Sequence, residues 1–266
     1  MRTKDVASYF QVPELSYRIW RVWRRNLEVF MKTYRVNFFP PLLEPIFYLV
    51  GLGFGLGGFV QPQEGLPYIA FIAPALVAIS MMFSSFFECT YASFVRMYYQ
   101  KTFGAIIATP VSLEEVIAGE LLWGATKSLI NSTIVLGVVF AFGLVSSPLF
   151  LLIPPLAFLV GLLFSAMAMC FTAITPNIDS FNYPSFLFIT PMFILSGTFF
   201  STHNLPEAVQ IVSKLFLPLY HVVALTRALT IGRFTTNLLF NLSWILVATP
   251  FFFILSINLM KRRLIR

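Results

Sequence analysis

The sequence predicts an all-α polytopic membrane protein, on the basis of its composition, its long charge-free runs and the positions of its basic residues. Of the 266 residues, 58% are hydrophobic and 11% are charged, and the mean hydropathy is +0.82. Soluble domains average about 45–50% apolar and about 25% charged residues, so the composition excludes an ordinary water-soluble fold and a disordered chain. Two cysteines indicate no disulfide framework. A net charge of +7 would suggest nucleic acid on a soluble protein, but here the basic residues indicate membrane topology.

The N-terminal segment, residues 1–35, is predicted to lie in the cytoplasm and to carry an amphipathic interfacial helix over residues 16–35. Basic residues recur there with a period near 3.5, and Trp20, Trp23 and Phe30 fall on the other side. A basic face opposite aromatic residues is typical of helices that lie in the membrane interface. The alternative is a basic anchor that only fixes topology. The segment is polar for too long to be a signal peptide, so we expect the first span to direct insertion.

Six membrane spans are predicted within residues 36–260, because a helix needs about 20 apolar residues to cross a bilayer. The predicted spans are 38–60, 66–95, 116–144, 151–174, 181–200 and 237–259. Lysine and arginine concentrate before the first span, between the second and third, and in the basic tail 261–266. The positive-inside rule therefore places both termini in the cytoplasm, which agrees with an even number of spans.

The loop between the second and third spans is predicted to contain a short helix on the cytoplasmic surface. Ser112 and Glu115 have capping-box spacing, which indicates a helix start. Pro110 separates that start from a short helical segment near 102–108. The alternative is an ordinary hairpin connection, although the loop is longer than two packed spans require.

The outer segment, residues 201–236, is predicted to form two short outer-leaflet or re-entrant helices. Pro218 divides the segment into pieces near 207–216 and 219–231. Each piece is too short to cross a membrane, and backbone breaks at membrane depth are tolerated only inside protein or beside a cavity.

The motifs that usually indicate chemistry point here to packing. Gly53-x-Gly55-x-x-Gly58 has the spelling of a dinucleotide-binding loop, but it lies in an apolar span without the required strand–turn–helix context. Its spacing indicates close helix packing or backbone flexibility. The sequence contains no G-x-x-x-x-G-K-[ST] phosphate loop, so any nucleotide that drives this protein must bind another subunit.

Catalytic, cofactor-binding and metal-binding residues are not expected on this chain. His203 and His221 are isolated in the sequence, and Cys89 and Cys170 fall in different predicted spans. Such scattered residues indicate neither a metal site nor a nucleophilic triad.

Three ionisable residues, Glu44, Glu88 and Lys127, fall in or near the first three spans. Charge inside a membrane is costly and indicates a functional site by default. A role in the transport path or in gating is one interpretation, and structural pairing is the other. A pair between Glu88 and Lys127, across the second and third spans, is the specific structural expectation.

The order of these features resembles an ABC-2 type exporter permease, most closely the nodulation lipo-oligosaccharide exporter branch. The sequence also resembles drug and polysaccharide exporter permeases, but less closely. The segments that carry the resemblance are EPIFYLVGLGFGLGGFV (44–60), YIAFIAPALVA (68–78), ATPVSLEEVIAGELLWGATKS (108–128), TPMFILSGTFFSTHNLP (190–206), LPLYHVVALTRALTIG (217–232) and the basic end KRRLIR.

The resemblance implies a pair of permeases that associates with two ATPase subunits. ATP and Mg would bind those partners, so this chain would hold no cofactor and would not be an enzyme. The resemblance also implies that the loop helix near 102–108 is the coupling helix that docks on the ATPase. Its residues are Lys101, Thr102, Phe103 and Gly104. Phe103 is the expected interface anchor, because aromatic residues dominate interface energetics, and Gly104 would permit close approach.

The resemblance further implies an exit gate on the outer side of the membrane. Its candidate residues are Gly197, Pro206, Pro218 and His221.

The function expected from residues and resemblance together is ATP-driven export of an amphipathic substrate, moved outward from the cytoplasm or the inner leaflet. A lipo-oligosaccharide, another glycolipid or a lipid-linked polysaccharide is the first expectation, and a drug or secondary metabolite is the alternative. The expected location is the bacterial inner membrane, with membrane lipids and not nucleic acid as surroundings. An ion-coupled secondary transporter using Glu44 and Glu88 is a rival, but the sequence has no convincing internal repeat. A lipid-acting membrane enzyme is the other rival, but the loops offer no polar catalytic cluster.

Overall fold

A computed structural model describes residues 11–233 and 237–265 of the chain, and the predicted all-α fold is confirmed. Within these residues, strand-type pairing is confined to an isolated bridge between Gln63 and Leu66. The helices are α1 (Ile19–Lys32), α2 (Tyr34–Tyr48), α3 (Tyr68–Phe87), α4 (Thr102–Ile107), α5 (Leu113–Ala141), α6 (Ile153–Ile174), α7 (Asn182–Pro184), α8 (Thr190–Leu195), α9 (Glu207–Phe216), α10 (Pro218–Ile231) and α11 (Leu238–Leu264).

Within the described residues, five helical segments are long and apolar enough to cross a membrane. Helical turns of other types extend three of them, beyond α2 and α3 and ahead of α6. The five segments are Tyr34–Leu56, Tyr68–Tyr99, Leu113–Ala141, Pro148–Ile174 and Leu238–Leu264. They correspond to five of the six predicted spans, and their ends differ from the predicted ones by at most five residues.

The predicted span at 181–200 corresponds to a shorter, unbroken helical run of mixed helix types. Short 3₁₀, α and π-helical pieces follow one another over residues 179–195, which rise only about 25 Å at 1.5 Å per residue. The hydrocarbon core is about 30 Å thick. The two helices α9 and α10 lie within one residue of the predicted bounds 207–216 and 219–231 and meet at 86°. Six crossings therefore require that either this short 179–195 run or the bent α9–α10 pair spans the membrane.

Helices α3, α5 and α6 form the centre of the bundle, with α11 against α6 and α10 against α3. Small residues let the central helices approach: a Cβ atom at Gly161 would lie only 2.5 Å from the Ser128 Cβ. The Ser128 hydroxyl lies 3.1 Å from the carbonyl oxygens of both Met81 and Ala157. Small residues and hydroxyls of this kind stabilise helix pairs where lipid provides no hydrophobic driving force.

The glycine-rich run forms the wide π-helical turn Leu49–Leu56 that continues α2. A Cβ atom at Gly53 would lie 2.7 Å from the Ile69 Cγ1, whereas one at Gly51 would meet nothing within 4 Å. The predicted close packing is thus confirmed for Gly53, which lets the end of α2 approach the start of α3.

Helix α1 packs along α5, and its existence confirms the N-terminal helix predicted from the sequence. A Cβ atom at Gly119 would lie 2.6 Å from the Val22 Cβ, and the Trp23 indole N–H donates to the Thr126 hydroxyl at 2.8 Å. Trp20 stacks on Trp23 with ring centroids 4.1 Å apart and remains exposed. The location of α1 in the membrane interface stays a prediction.

The capping box at the start of α5 is confirmed. The Glu115 backbone N–H donates to the Ser112 hydroxyl at 3.2 Å, and the Ser112 backbone N–H donates to the Glu115 carboxylate at 2.8 Å. The short helix α4 precedes this start, as the sequence predicts.

Candidate functional site

A groove of about 680 Å³ lies between α1, α2, the long α3 segment and α5. Its walls bring together the three charged residues that the sequence singles out, Glu44, Glu88 and Lys127. Lys127 is fourteen residues beyond the start of α5, which is about 21 Å along the helix axis. Lys127 therefore lies well inside the length of α5 and not at its end.

The lining of the groove changes from polar to apolar along its length. Toward the end of the α3 segment the wall carries Arg96 and Gln100, whereas earlier turns contribute Leu76, Ile79 and Phe83. A molecule bound along the groove would therefore meet charge at one end and apolar surface at the other.

Glu88 is the centre of a buried ionic network. Its side chain is 4% exposed, and its carboxylate accepts from the Lys127 ammonium at 2.7 Å and from the Trp123 indole N–H at 3.0 Å. The Arg96 guanidinium also lies 2.7 Å from this carboxylate. The predicted pairing of Glu88 with Lys127 is thus confirmed, whereas a role of either residue in transport stays a prediction.

Glu120 is the second carboxylate of the network and is fully buried. It accepts from the Arg96 guanidinium at 2.6 and 2.9 Å, from the Ser93 hydroxyl at 2.7 Å and from the Asn26 amide at 2.8 Å. Arg96 therefore bridges Glu88 and Glu120, and Asn26 ties α1 to the same cluster. Two carboxylates and two cations balance, which is how buried charges are tolerated in a low dielectric.

Three members of this network, Arg96, Glu120 and Asn26, are not among the residues that the sequence singles out. The sequence predicts Arg96 in a cytoplasmic loop, but the α3 segment continues to Tyr99, which carries Arg96 into the bundle. Eight residues separate Glu88 from Arg96, and seven separate Glu120 from Lys127, so each pair lies near a common helix face. That spacing is the signal that could have identified the network.

Arg25 adds a further cation to the groove wall. The described residues show a contact with the Asn26 carboxamide at 3.2 Å but no ion pair to Arg25. Burial lowers the pKa of the Arg25 guanidinium. The negative charge of Glu120 acts in the opposite direction, and the positive charge of Arg96 lowers this pKa further. The groove thus has a positive charge beyond those neutralised within the network.

Glu44 lies on the α2 wall among Pro40, Pro41 and Pro45. Within the described residues no hydrogen bond or ion pair reaches its carboxylate, and the residue is exposed. The three prolines carry no N–H, so the carbonyl groups four residues before them lose their usual helical donors. The α2 wall therefore carries more acceptors than an uninterrupted helix would.

An ion pair and a hydrogen bond join helix ends close to α4. Lys261 at the end of α11 pairs with Glu114 in the first turn of α5. Arg18, immediately before α1, donates to the Pro110 carbonyl oxygen. The end of the α4 loop is thus joined to the segment before α1, and the start of α5 is joined to the end of α11.

The short helix α4 has one buried face and one exposed face. Phe103 is 2% exposed and belongs to the core of this chain, so the expectation that Phe103 anchors a partner is wrong. Gly104 is exposed, with nothing within 4 Å of the position that a Cβ atom would occupy, and Ile107 is 41% exposed. Together with the exposed Lys101 and half-buried Thr102, these residues form the α4 surface that a partner can reach.

Arg227 of α10 connects several segments near the start of α3. Its guanidinium donates to the Gly197 carbonyl oxygen at 2.9 Å, lies 3.8 Å from the centre of the Phe71 ring and lies 3.9 Å from the Glu64 carboxylate. Glu64 also accepts from the Ser201 hydroxyl at 2.8 Å. Gly197 has φ of +74°, a conformation that glycine adopts without a steric penalty.

The other gate candidates shape the α9–α10 bend and its contact with α11. Pro206 precedes α9, and Pro218 is the first residue of α10. His221 is fully buried, lies 2.9 Å through its Nδ1 from the Asn241 carboxamide oxygen and stacks on Trp244 with ring centroids 4.7 Å apart. The structure brings Gly197 together with Arg227, whereas His221 lies against α11. A gate function for these residues stays a prediction.

The helices and the groove define a multi-pass helical membrane protein with the architecture of a transport subunit. The model of the ABC-2 type transporter family matches residues 17–231, and the chain belongs to this family. Nodulation protein J of Sinorhizobium fredii is 37% identical over 244 residues, 92% of this chain and 93% of that protein. Nodulation protein J of Bradyrhizobium diazoefficiens is 37% identical over 255 residues, 96% of this chain and 97% of that protein.

A more distant relative is the inner membrane transport permease YadH of Escherichia coli, 22% identical over 194 residues, 73% of this chain and 75% of that protein. The comparison with solved structures found none that matches. The predicted family is confirmed, and the chain is an ABC-2 permease, a multi-pass protein of the bacterial inner membrane. Permeases of this family are transport subunits that work with ATPase partners and carry no cofactor themselves.

Proposed function

We propose that this chain is the permease subunit of an ATP-driven exporter for an amphipathic substrate, a lipo-oligosaccharide or a related glycolipid. The observation that carries the proposal is the graded lining of the groove, which is charged toward Arg96 and apolar toward Leu76. A glycolipid has the same division into a polar head and an apolar chain. The relationship to Nodulation protein J over nearly the whole chain supports this substrate class.

The groove walls favour a head group that donates hydrogen bonds. Glu44 has no partner among the described residues, and the prolines of α2 leave further acceptors on that wall. Tyr48, Tyr91 and Trp123 also line the groove, and aromatic rings with polar ends suit a molecule that is partly apolar and partly wet. A drug without hydroxyl or amide groups would leave these acceptors unsatisfied.

Energy would reach the groove through α4 and the contacts around it. The sequence has no phosphate-binding loop, so ATP and Mg would bind two partner ATPase subunits. The exposed residues Gly104 and Ile107 offer those partners a docking surface. Movement of α4 would be transmitted to α5 and α11, because the Lys261–Glu114 pair joins these helices next to it.

Two copies of the permease, each with cytoplasmic termini, complete the proposed assembly. Helix α2 is largely exposed along its transmembrane part and forms one wall of the groove. A second copy beside α2 would cover Glu44 and enclose the substrate path. The outer segments joined by Arg227 would then form the exit.

A reconstitution experiment tests the substrate class. Purified permease and a co-purifying ATPase are incorporated into vesicles, and movement of a fluorescent lipo-oligosaccharide between leaflets is followed with and without ATP. We expect ATP-dependent movement of the lipo-oligosaccharide and competition by unlabelled glycolipid. Competition by hydrophobic drugs alone would instead support the drug-exporter alternative.

A further inference from the structure

Asn131 is a buried polar residue whose carboxamide oxygen is unpaired among the described residues. It lies on α5, one helical turn beyond Lys127, and lines the groove. The residue is 9% exposed, and within the described residues its carboxamide oxygen has no hydrogen-bond partner. Burying an amide without a hydrogen bond is unfavourable, and buried polar groups are otherwise nearly always paired.

The surroundings of Asn131 show that the missing partner is not a feature of α5 in general. The Thr133 hydroxyl, two residues further on, donates to the Leu129 carbonyl oxygen at 2.6 Å, and the Ser132 hydroxyl donates to the Ser128 carbonyl oxygen at 2.7 Å. Both hydroxyl groups therefore donate to carbonyl oxygens of their own helix. Asn131 alone among the three faces the groove.

Asn131 belongs to a stripe of groove-lining residues at four-residue spacing, Trp123, Lys127, Asn131 and Val135. Residues four apart lie above one another on a helix, so the stripe runs along one wall. The indole of Trp123 and the ammonium of Lys127 are both bound to Glu88. The Asn131 carboxamide is therefore the neutral polar group of the stripe that is left for a ligand, and it lies next to the apolar Val135.

We propose that Asn131 is a specificity-determining residue that binds a hydroxyl or amide group where the polar head of the substrate meets its apolar chain. A carboxamide offers one acceptor and two donors, so its complement is a group that both donates and accepts, such as a sugar hydroxyl or an N-acyl amide. The neighbouring aliphatic wall takes the adjoining chain. This inference rests on the proposed glycolipid function and deepens it.

The test uses the full-length permease in lipid nanodiscs and two fluorescent probes of equal chain length. One probe is an N-acylated lipo-oligosaccharide, and the other is its permethylated form, which has no O–H or N–H donor. Asn131→Leu replaces the carboxamide oxygen and nitrogen by two methyl groups and keeps the branched arrangement of heavy atoms. Thr133→Val is the matched control, because it removes a hydroxyl from the same helix away from the groove.

We expect the wild type and Thr133→Val to prefer the donor-bearing probe, and Asn131→Leu to lose about five- to tenfold of that preference. Its affinity for the permethylated probe should be unchanged. Its thermal unfolding midpoint should not fall below that of the wild type, because the substitution removes an unsatisfied polar group.

The outcomes separate this inference from the function on which it rests. If the wild type prefers the donor-bearing probe and Asn131→Leu retains the full preference, Asn131 is not a binding residue, and water or local rearrangement satisfies it. If the wild type binds only the permethylated probe, the glycolipid function and this inference are both overturned.

Discussion

Replacing Glu88 by glutamine removes the carboxylate that Arg96, Lys127 and Trp123 share. The substitution keeps the size of the side chain but leaves the Lys127 ammonium without the counter-charge that lies 2.7 Å away. Arg96 retains Glu120 at 2.6 Å, so the two cations are affected unequally. The structure therefore predicts a hierarchy among variants of the network.

The magnitudes follow from what each substitution leaves behind. Glu88→Gln leaves a partly buried cation unpaired and is expected to cost about 3–5 kcal/mol of unfolding free energy. Lys127→Met costs less, about 1–3 kcal/mol, because Glu88 keeps Arg96 and Trp123 and loses one charged hydrogen bond. The double variant should recover about 0.5–3 kcal/mol relative to the sum of the two losses.

The assay is reversible unfolding of the purified permease in mixed micelles, followed by circular dichroism. Lys214→Met serves as the matched control, because Lys214 is an exposed lysine of α9 and its loss should change stability by less than about 0.5 kcal/mol. Strict additivity of the two single variants would refute the pairing. A larger loss for Lys127→Met than for Glu88→Gln would refute the role assigned to Arg96 as a second counter-charge.

Three further predictions concern docking, the outer surface and topology. Ile107→Asp on the exposed face of α4 should weaken co-purification with the ATPase without lowering stability. Phe103→Ala should lower the free energy of unfolding by about 3–5 kcal/mol, as for other buried phenylalanines. Equal effects of the two variants on stability would contradict the division of α4 into a buried and an exposed face. Arg227→Gln should lower the free energy of unfolding by about 1–3 kcal/mol, because it removes a charged hydrogen bond to Gly197 and the cation over the Phe71 ring. An unchanged unfolding free energy would show that Arg227 does not stabilise the segments that it contacts. Topology is tested by cysteine labelling in a variant in which Cys89 and Cys170 are replaced by serine. There, His203→Cys should react with an impermeant maleimide in intact cells, and Thr109→Cys should react only after permeabilisation. The reverse labelling would exclude cytoplasmic termini.

Much of the fold follows from hydrophobicity, because the membrane requires long apolar helices and satisfied backbones. The charge-free runs predict five spans that the structure contains, and proline and capping residues predict α4, α9, α10 and the start of α5. The segment 181–200 shows the limit of this reasoning. Its composition suits a span, but its helical run stops at Leu195 and mixes 3₁₀, α and π turns, and both features depend on tertiary packing.

The site was predictable only where charge stood out against apolar sequence. Glu88 and Lys127 were conspicuous for that reason, and they do pair. Arg96 and Glu120 were missed because charged residues near a predicted span end look solvated until the helix length is known. The sequence does not distinguish an interface role from a core role for Phe103, because aromatic residues suit both. Only the fold shows that Phe103 is buried in the core. Nothing in the sequence distinguishes Asn131 from the bonded polar residues around it.

The central claim is that this permease exports its substrate with energy from ATP hydrolysed by a partner. The most direct measurement is substrate movement in vesicles that contain the permease alone or the permease with its ATPase, energised by ATP or by a proton gradient. The account predicts that the permease alone neither hydrolyses ATP nor moves a lipo-oligosaccharide, and that ATP drives movement only when the ATPase is present. Movement by the permease alone under a proton gradient would contradict the account and establish a secondary transporter.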